Sequence, residues 1–267
     1  MVHVRSLPAE GVVEEVVLPH SLASEPRSGR AIRREALVVA MIDEAMDLVT
    51  EGGIEGLTLQ KLAKSLGYVA TAVYRYFPSK DALVAALQRT AIERIQKQFA
   101  ADLSAREARK TKEGRELVAS RDLSNLLAAA EIYLDLPETQ PKSFYLVAVL
   151  LGDPQIYLSD EESLRTAPTL RALLGSISGL FEAAQSSGAL DAGSAHERTL
   201  AFWATLHGAT CLEKARRVVP TLPPAKDIGM AAATTLLRGW GATPASLVRR
   251  PGGPSPGAGR AAKRKAP

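Results

Sequence analysis

The stretch Leu57 to Leu83, LTLQKLAKSLGYVATAVYRYFPSKDAL, restricts what this chain can fold into more than any other. Leu59, Leu62, Ala63 and Leu66 fall at i, i+3, i+4 and i+7, one face of an α-helix. Thr58 precedes them as an N-cap residue, its hydroxyl placed to accept an orphan backbone N–H of the first turn. Gly67 follows the last apolar position, where a left-handed residue ends a helix. A second helix is predicted from Ala70 to Phe77, with Val73 and Phe77 one turn apart and inward, and Pro78 breaks it. Ala63 is small where a crossing helix has to come close. A supporting helix, a tight turn with Gly and a second helix free to enter a groove make helix-turn-helix arithmetic.

The outward face of the second helix fits that reading. Thr71, Tyr74, Arg75 and Tyr76 carry hydroxyl or guanidinium donors that no core needs. Ser79 suits the N-cap of a further helix, and Lys80 falls in the turn beside its first N–H groups, a place for a phosphate oxygen. The plainer alternative is a surface helix carrying tyrosines and an arginine. It leaves the order of cap, stripe, glycine, aromatic cluster and Pro-Ser-Lys unexplained.

Tyr74, Phe77 and Lys80, inside AVYRYFPSKDAL, form a Tyr-x-x-Phe-x-x-Lys ending. The segment, extended upstream to Arg30, resembles the DNA-binding domain of the tetracycline-repressor (TetR) family, of which that ending is a hallmark. The resemblance implies an all-α protein with a helix-turn-helix head over residues 28–81 and a helical ligand-binding and dimerisation domain over residues 82–240. It implies a homodimer formed through the last two long helices, a double-stranded operator as partner, and a pocket for a small apolar or amphipathic molecule. On the recognition helix, which begins at Ala70, Thr71 is assigned to base edges together with Gln60; the direction of Arg75 depends on helix rotation. Thr58, Tyr74, Tyr76 and Lys80 are assigned to phosphates. One departure from the family stands at Val69, where a small polar cap is usual. Trp203, His207 and Gly208 further resemble a Trp-x-x-x-His-Gly signature of one subgroup's regulatory domain.

At 267 residues the chain is long enough for one long domain or two modest ones, with a sizeable core. The formal charge of +4 is mild and does not by itself identify a nucleic-acid binder. Cys211 is the one cysteine, which fits a reducing cytoplasm. His3, His20, His196 and His207 show no metal-ligand spacing, and neither metal nor cofactor is expected. The longest apolar run, Phe144 to Leu151, is far short of a bilayer span, so no membrane partner is expected. Residues 1–27 read as a flexible arm, and Arg27, Arg30, Arg33 and Arg34 form a basic run leading into the first helix.

That helix is predicted from Ala31 to Thr50, with Val38, Ile42, Ala45 and Val49 on one face and Gly52-Gly53 ending it. A fourth begins near Asp81 and stays amphipathic past Phe99, a natural lever out of the head. Residues 104–116 are charged and read as either a solvated helix end or a loop, with the loop favoured. Further helices are expected from Glu116 to Leu136, stopped by Pro137; over KSFYLVAVLLG, apolar enough to be the central surrounded helix; and from Pro168 to Ser187. Two more are expected from Ser194 to Val219 and from Ala225 to Arg238, and residues 241–267 read as a disordered basic tail. Candidate pocket walls are Phe99, Leu103, Phe144, Tyr145, Phe181, Trp203 and His207, each with core packing as its alternative. Cys211 reads as a small core residue. The function class implied is a ligand-responsive regulator, most simply a repressor; the rival is a helical enzyme or scaffold with a lookalike motif. No paired carboxylates, metal cluster or phosphate loop supports the rival.

Overall fold

The computed structural model describes residues 29–113, 118–152 and 155–243, helices joined by turns and short irregular links. Residues 1–28, which include the expected arm, residues 114–117 and 153–154, and the expected tail beyond Thr243 lie outside the described residues. Two compact units are distinguished, Met1–Val39 and Ala40–Pro267. The described part of the first is the opening of helix α1, where Arg33 and Arg34 are exposed.

Helix α1 spans Gly29–Gly56, with a break at Gly53 (φ 74°, ψ 170°). The expected stop is therefore real, and a short extra turn follows it. Next come α2 (Leu59–Ser65), α3 (Ala70–Tyr74) and α4 (Lys80–Glu113). Met41, Ala45, Met46 and Val49 of α1 are fully buried, as are Leu62, Val73 and Leu83, so the three-helix core closes. Burial of each such side chain contributes about 1.5–3 kcal/mol, which is what holds helices this short in place.

Helix α4 corrects the first sequence expectation, because residues 104–113 are helix rather than loop. Ala, Arg, Glu and Lys are all strong helix formers. The Arg106–Glu131 ion pair at 2.8 Å also ties this end to α5 (Val118–Thr139). Pro137 does not stop α5; the helix loses one backbone bond there and runs on two residues further, to Thr139. Helix α6 runs Pro141–Gly152. It is not the central helix: only Ser143, Leu146 and Val147 are buried on it. Helix α5 holds that place, packing against α4, α6, α7, α8 and α9. Its Ala128, Ala129 and Ala130 let neighbours come close, and α9 answers with Gly229, where an added Cβ would strike Leu134.

Helix α7 spans Asp160–Ser186 and so begins eight residues before the expected Pro168. Ser159 caps it by accepting the Glu162 N–H, and Asp160, Glu161 and Glu162 complement the dipole of its first turn. Those contributions outweigh one hydrogen bond lost at the internal proline. Helices α8 (Ala195–Arg216) and α9 (Ala225–Gly239) close the body, with Phe181, Phe202 and Trp240 edge to face between α7, α8 and the end of α9. Cys211 is exposed on α8 rather than in the core.

Candidate nucleic-acid interface and ligand cavity

The first site is built locally. Thr58 Oγ1 accepts the Lys61 N–H at 3.1 Å, which starts α2 and turns Leu59, Leu62 and Ala63 inward. Gly67 takes φ 72°, and the Tyr68 N–H reaches back to the Ala63 carbonyl at 2.8 Å, fixing the angle between α2 and α3. Val69 stands at the N-cap of α3 with no side-chain bond and 71% exposed, so the departure seen in the sequence is a departure in the structure. Val73 and Phe77 point inward, and that rotation leaves Thr71, Tyr74 and Arg75 outward.

The outward groups brace one another. Gln60 Nε2 approaches the Tyr74 hydroxyl at 3.4 Å across the turn. Arg75 donates to the Tyr76 hydroxyl at 3.1 Å and lies over that ring. Lys80 opens α4 and donates to the Glu55 carbonyl at 3.2 Å, while the Ala82 N–H is capped by Ser79. Ala70 is half-buried at the start of α3. Between Leu57 and Lys80 there are four basic side chains and no acid, with Lys61 and Lys64 exposed beside the aromatic group. Sequence reading passed over these two lysines; the run free of acids was the signal for them.

Three ties join this head to the helices beyond it. Arg94 of α4 pairs with Asp43 at 2.5 Å, and Lys142 at the start of α6 pairs with Asp47. At the start of α4, Asp81 accepts the backbone N–H of Ser159 at 3.3 Å and also its hydroxyl. Ser159 is the cap of α7, so the first turns of α4 and α7 share one carboxylate.

The second site is a cavity of about 270 Å³ inside the body. Ile95 and Phe99 of α4, Ile132 and Leu136 of α5, and Val147 and Leu151 of α6 form part of its wall. Leu170, Leu173, Leu174 and Ile177 of α7 face Leu200, Phe202, Trp203 and Leu206 of α8 across it. The polar side chains on the wall are Tyr133, Thr199 and Trp203. Trp203 donates its indole N–H to the Tyr133 hydroxyl at 3.2 Å, and that hydroxyl lies 3.0 Å from His207 Nδ1. Burial pushes the Tyr133 phenol well above its ordinary range, with the Trp203 bond opposing, and pushes the His207 imidazole down, so both are neutral near pH 7.

Of the residues singled out beforehand, Phe99 and Trp203 line the cavity. His207 stacks on Trp203 (centroids 5.4 Å apart), and Phe144 meets both Tyr133 and His207 by its ring. Leu103 packs beneath Phe99, Tyr145 is half-buried on α6, and Phe181 is fully buried in the core between α7 and α8. Tyr133 was missed. Its signal was faint, a single tyrosine in a helix of leucines and alanines. Among the described residues no cluster could hold a metal ion, and no helix is long and apolar enough to cross a membrane.

A helix-turn-helix head with an outward aromatic and basic face, carried on a helical body with an apolar cavity, defines a class of regulatory proteins. Residues 41–87 match the model for bacterial regulatory proteins of the tetR family, so the head is similar to the DNA-binding heads of that family. The nucleoid occlusion factor SlmA of Haemophilus ducreyi is 32% identical over 120 residues, 45% of this chain and 52% of that protein. The chain thus matches about half the length of that curated relative. Among solved structures, the TetR family regulator PfmR from Thermus thermophilus shares 20% identity at a TM-score of 0.51, over 74% of this chain and 97% of PfmR. FadR from Bacillus subtilis, solved with stearoyl-CoA, shares 16% identity at a TM-score of 0.56, over 76% of this chain and 98% of FadR. At those identities the two structures establish a common fold. The match of residues 41–87 points to a regulator rather than an enzyme.

Proposed function

We propose that this chain is a cytoplasmic, ligand-responsive transcriptional repressor that binds a palindromic operator as a homodimer and is released by a small apolar or amphipathic molecule. The observation that carries this reading is the outward face of α3, where inward Val73 and Phe77 force Thr71, Tyr74 and Arg75 into solvent beside an acid-free basic run. Residues 28–81 read DNA, and residues 82–240 hold the ligand and the second copy. Thr71 and Gln60 reach base edges from the start of the recognition helix at Ala70, with Arg75 beside them. Thr58, Tyr74, Tyr76 and Lys80 hold phosphates: Thr58, Tyr74 and Lys80 each keep a hydroxyl or ammonium proton to donate after their bonds inside the head, and Arg75 braces the Tyr76 hydroxyl beside them.

The outward face of α8 supports the homodimer. Ala201, Ala204, Gly208 and Leu212 are all exposed at helical spacing, a small and apolar surface suited to a second copy. Two heads so joined would enter major grooves about 34–36 Å apart. The ligand acts only by differential affinity for the two arrangements of the heads. FadR was solved with stearoyl-CoA, and an apolar cavity in a chain of the same fold is in keeping with a hydrocarbon effector.

The test is a salt series with a palindromic fragment. Affinity falls steeply with salt, and Lys80→Ala weakens all sequences alike while reducing the log–log slope by about one unit. Binding that ignores salt, or a Lys80→Ala protein indistinguishable from the parent, contradicts the reading.

A further inference from the structure

The polar groups on the cavity wall have already given their protons away. Thr199 donates to the Ala195 carbonyl one turn back at 2.8 Å. Trp203 donates to Tyr133 at 3.2 Å. The remaining proton, that of the Tyr133 hydroxyl, depends on the tautomer of His207, and the surroundings of that ring assign it. An added Cβ on Gly152 would collide with His207 Nε2, so this edge of the ring is pressed against the end of α6. The Cys211 sulfur lies 4.0 Å from the same nitrogen. Were Nδ1 to carry the proton, the Tyr133 oxygen would accept from both Trp203 and His207 and turn its own proton toward an apolar wall, so the N–H belongs on Nε2 and Nδ1 accepts the Tyr133 proton. The ring has little freedom to change, since it is stacked on Trp203 on one side and bounded by Gly152 at its edge.

The capacity left on the wall consists of acceptors alone, lone pairs of the Tyr133 and Thr199 hydroxyl oxygens. A bound group that only accepts, such as a ketone or ester carbonyl, finds no donor there and leaves its own oxygen unpaired. A carboxylate meets no cation on the wall, and its burial is costlier still. A hydroxyl group can donate. Size adds a second limit: an engineered cavity of about 150 Å³ takes one benzene, so the same proportion gives this one room for about ten carbons.

We propose that the cavity selects a neutral hydrocarbon of about ten carbons carrying a hydroxyl, and that Tyr133 reads the hydroxyl as an acceptor while Trp203 and His207 position it. This rests on the cavity being the effector site. Removing the Tyr133 hydroxyl would release the Trp203 N–H toward the cavity, so the same wall would then prefer an acceptor.

The experiment titrates full-length protein, without DNA, with decan-1-ol, decan-2-one and decanoate, and with primary alcohols of shorter and longer chain. The readout is calorimetry, supported by Trp203 emission in a Trp240→Phe background. The expected order is alcohol over ketone by about fivefold, the size of one net hydrogen bond, with decanoate weakest and affinity peaking near ten carbons. In Tyr133→Phe the alcohol and ketone exchange places. Equal affinities, a ketone or carboxylate bound tightest, or a preference that survives in Tyr133→Phe overturns the proposal while leaving the effector cavity in place. Should Tyr133→Phe fail to fold, the order on the parent protein decides alone. Failure of every compound to bind overturns both the proposal and the effector reading.

Discussion

The head and the cavity are solved by opposite means. In the head, the groups that matter lie between Thr58 and Lys80, and each orients its neighbour through a bond of short sequence range. Around the cavity, Ile95 and Leu206 share one wall, and Tyr133 meets Trp203 and His207 across 70 and 74 residues of chain. The head displays protons to solvent; the cavity wall has spent its own. One is a surface that DNA can pull groups from, the other an interior in which every polar group is satisfied before a ligand arrives. A local device survives changes elsewhere in the chain, whereas an assembled one depends on the packing of five helices.

The largest expected effect tests that dependence. Phe181 is fully buried and meets Phe202 and Trp240 edge to face, behind the cavity rather than on its wall. Phe181→Ala is expected to cost about 3–5 kcal/mol in urea unfolding. The unfolding of the body should fall with it, and ligand affinity with the body, while the local contacts of α2 and α3 stay intact. If the loss stays below about 1 kcal/mol, the wall is not propped by that core and the contrast weakens. Next in size is Thr71→Ala. If Thr71 touches a base edge, the change costs about 1–3 kcal/mol at one operator position and little at the others. Equal loss on every sequence would make Thr71 a backbone contact.

The same contrast decides what could be read in advance. The head was legible because helix, turn and recognition helix are encoded by neighbours: a Thr cap, a stripe ending at Gly67, the pair Val73 and Phe77. Its weak cap at Val69 was legible too, and the structure shows it uncapped. The body was legible as a sequence of helices but not as an arrangement. KSFYLVAVLLG looked central because every side of it is apolar, yet part of that apolar surface faces an empty cavity through Val147 and Leu151. Hydropathy does not distinguish a residue that packs on protein from one that lines a void. Two helix boundaries were misjudged at Pro137 and Pro168 because proline's local cost was weighed without the caps and tertiary contacts that offset it. Of the seven expected wall residues Phe99 and Trp203 stand on the wall, since aromatic content marks interiors without saying which interior.

One contact bridges the two regions and sharpens the comparison. Asp81 joins the start of α4 to the cap of α7, and α7 carries Leu170, Leu173, Leu174 and Ile177 to the cavity. A double-mutant cycle with Asp81→Ala and Ser159→Ala is expected to give a coupling of about 1 kcal/mol in stability. Additive losses would mean that α7 and the head touch without holding each other. A cavity ligand would then have to act through Arg94 and Lys142 instead.

The smallest effect is a dependence on pH that arises beside the cavity. Burial holds the His207 imidazole below its ordinary value of 6.5. Below that value the unfolded chain takes up a proton that the folded chain resists, so the unfolded state binds more protons and is favoured as pH falls. The contribution of His207 to stability is thus intact at pH 7 and is lost as pH drops through the unfolded value of about 6.5 toward the folded one. Urea midpoints on either side of that range should fall with pH more steeply for the parent than for His207→Gln. A protonated ring also carries a proton on Nδ1, which must then point at the Tyr133 oxygen and turn the phenol's own proton toward the cavity. Acid should therefore narrow the preference for alcohol over ketone before the body unfolds. A preference unchanged by acid would mean that His207 does not set the direction of the Tyr133 hydroxyl, and the cavity would lose the one feature that makes its wall an acceptor.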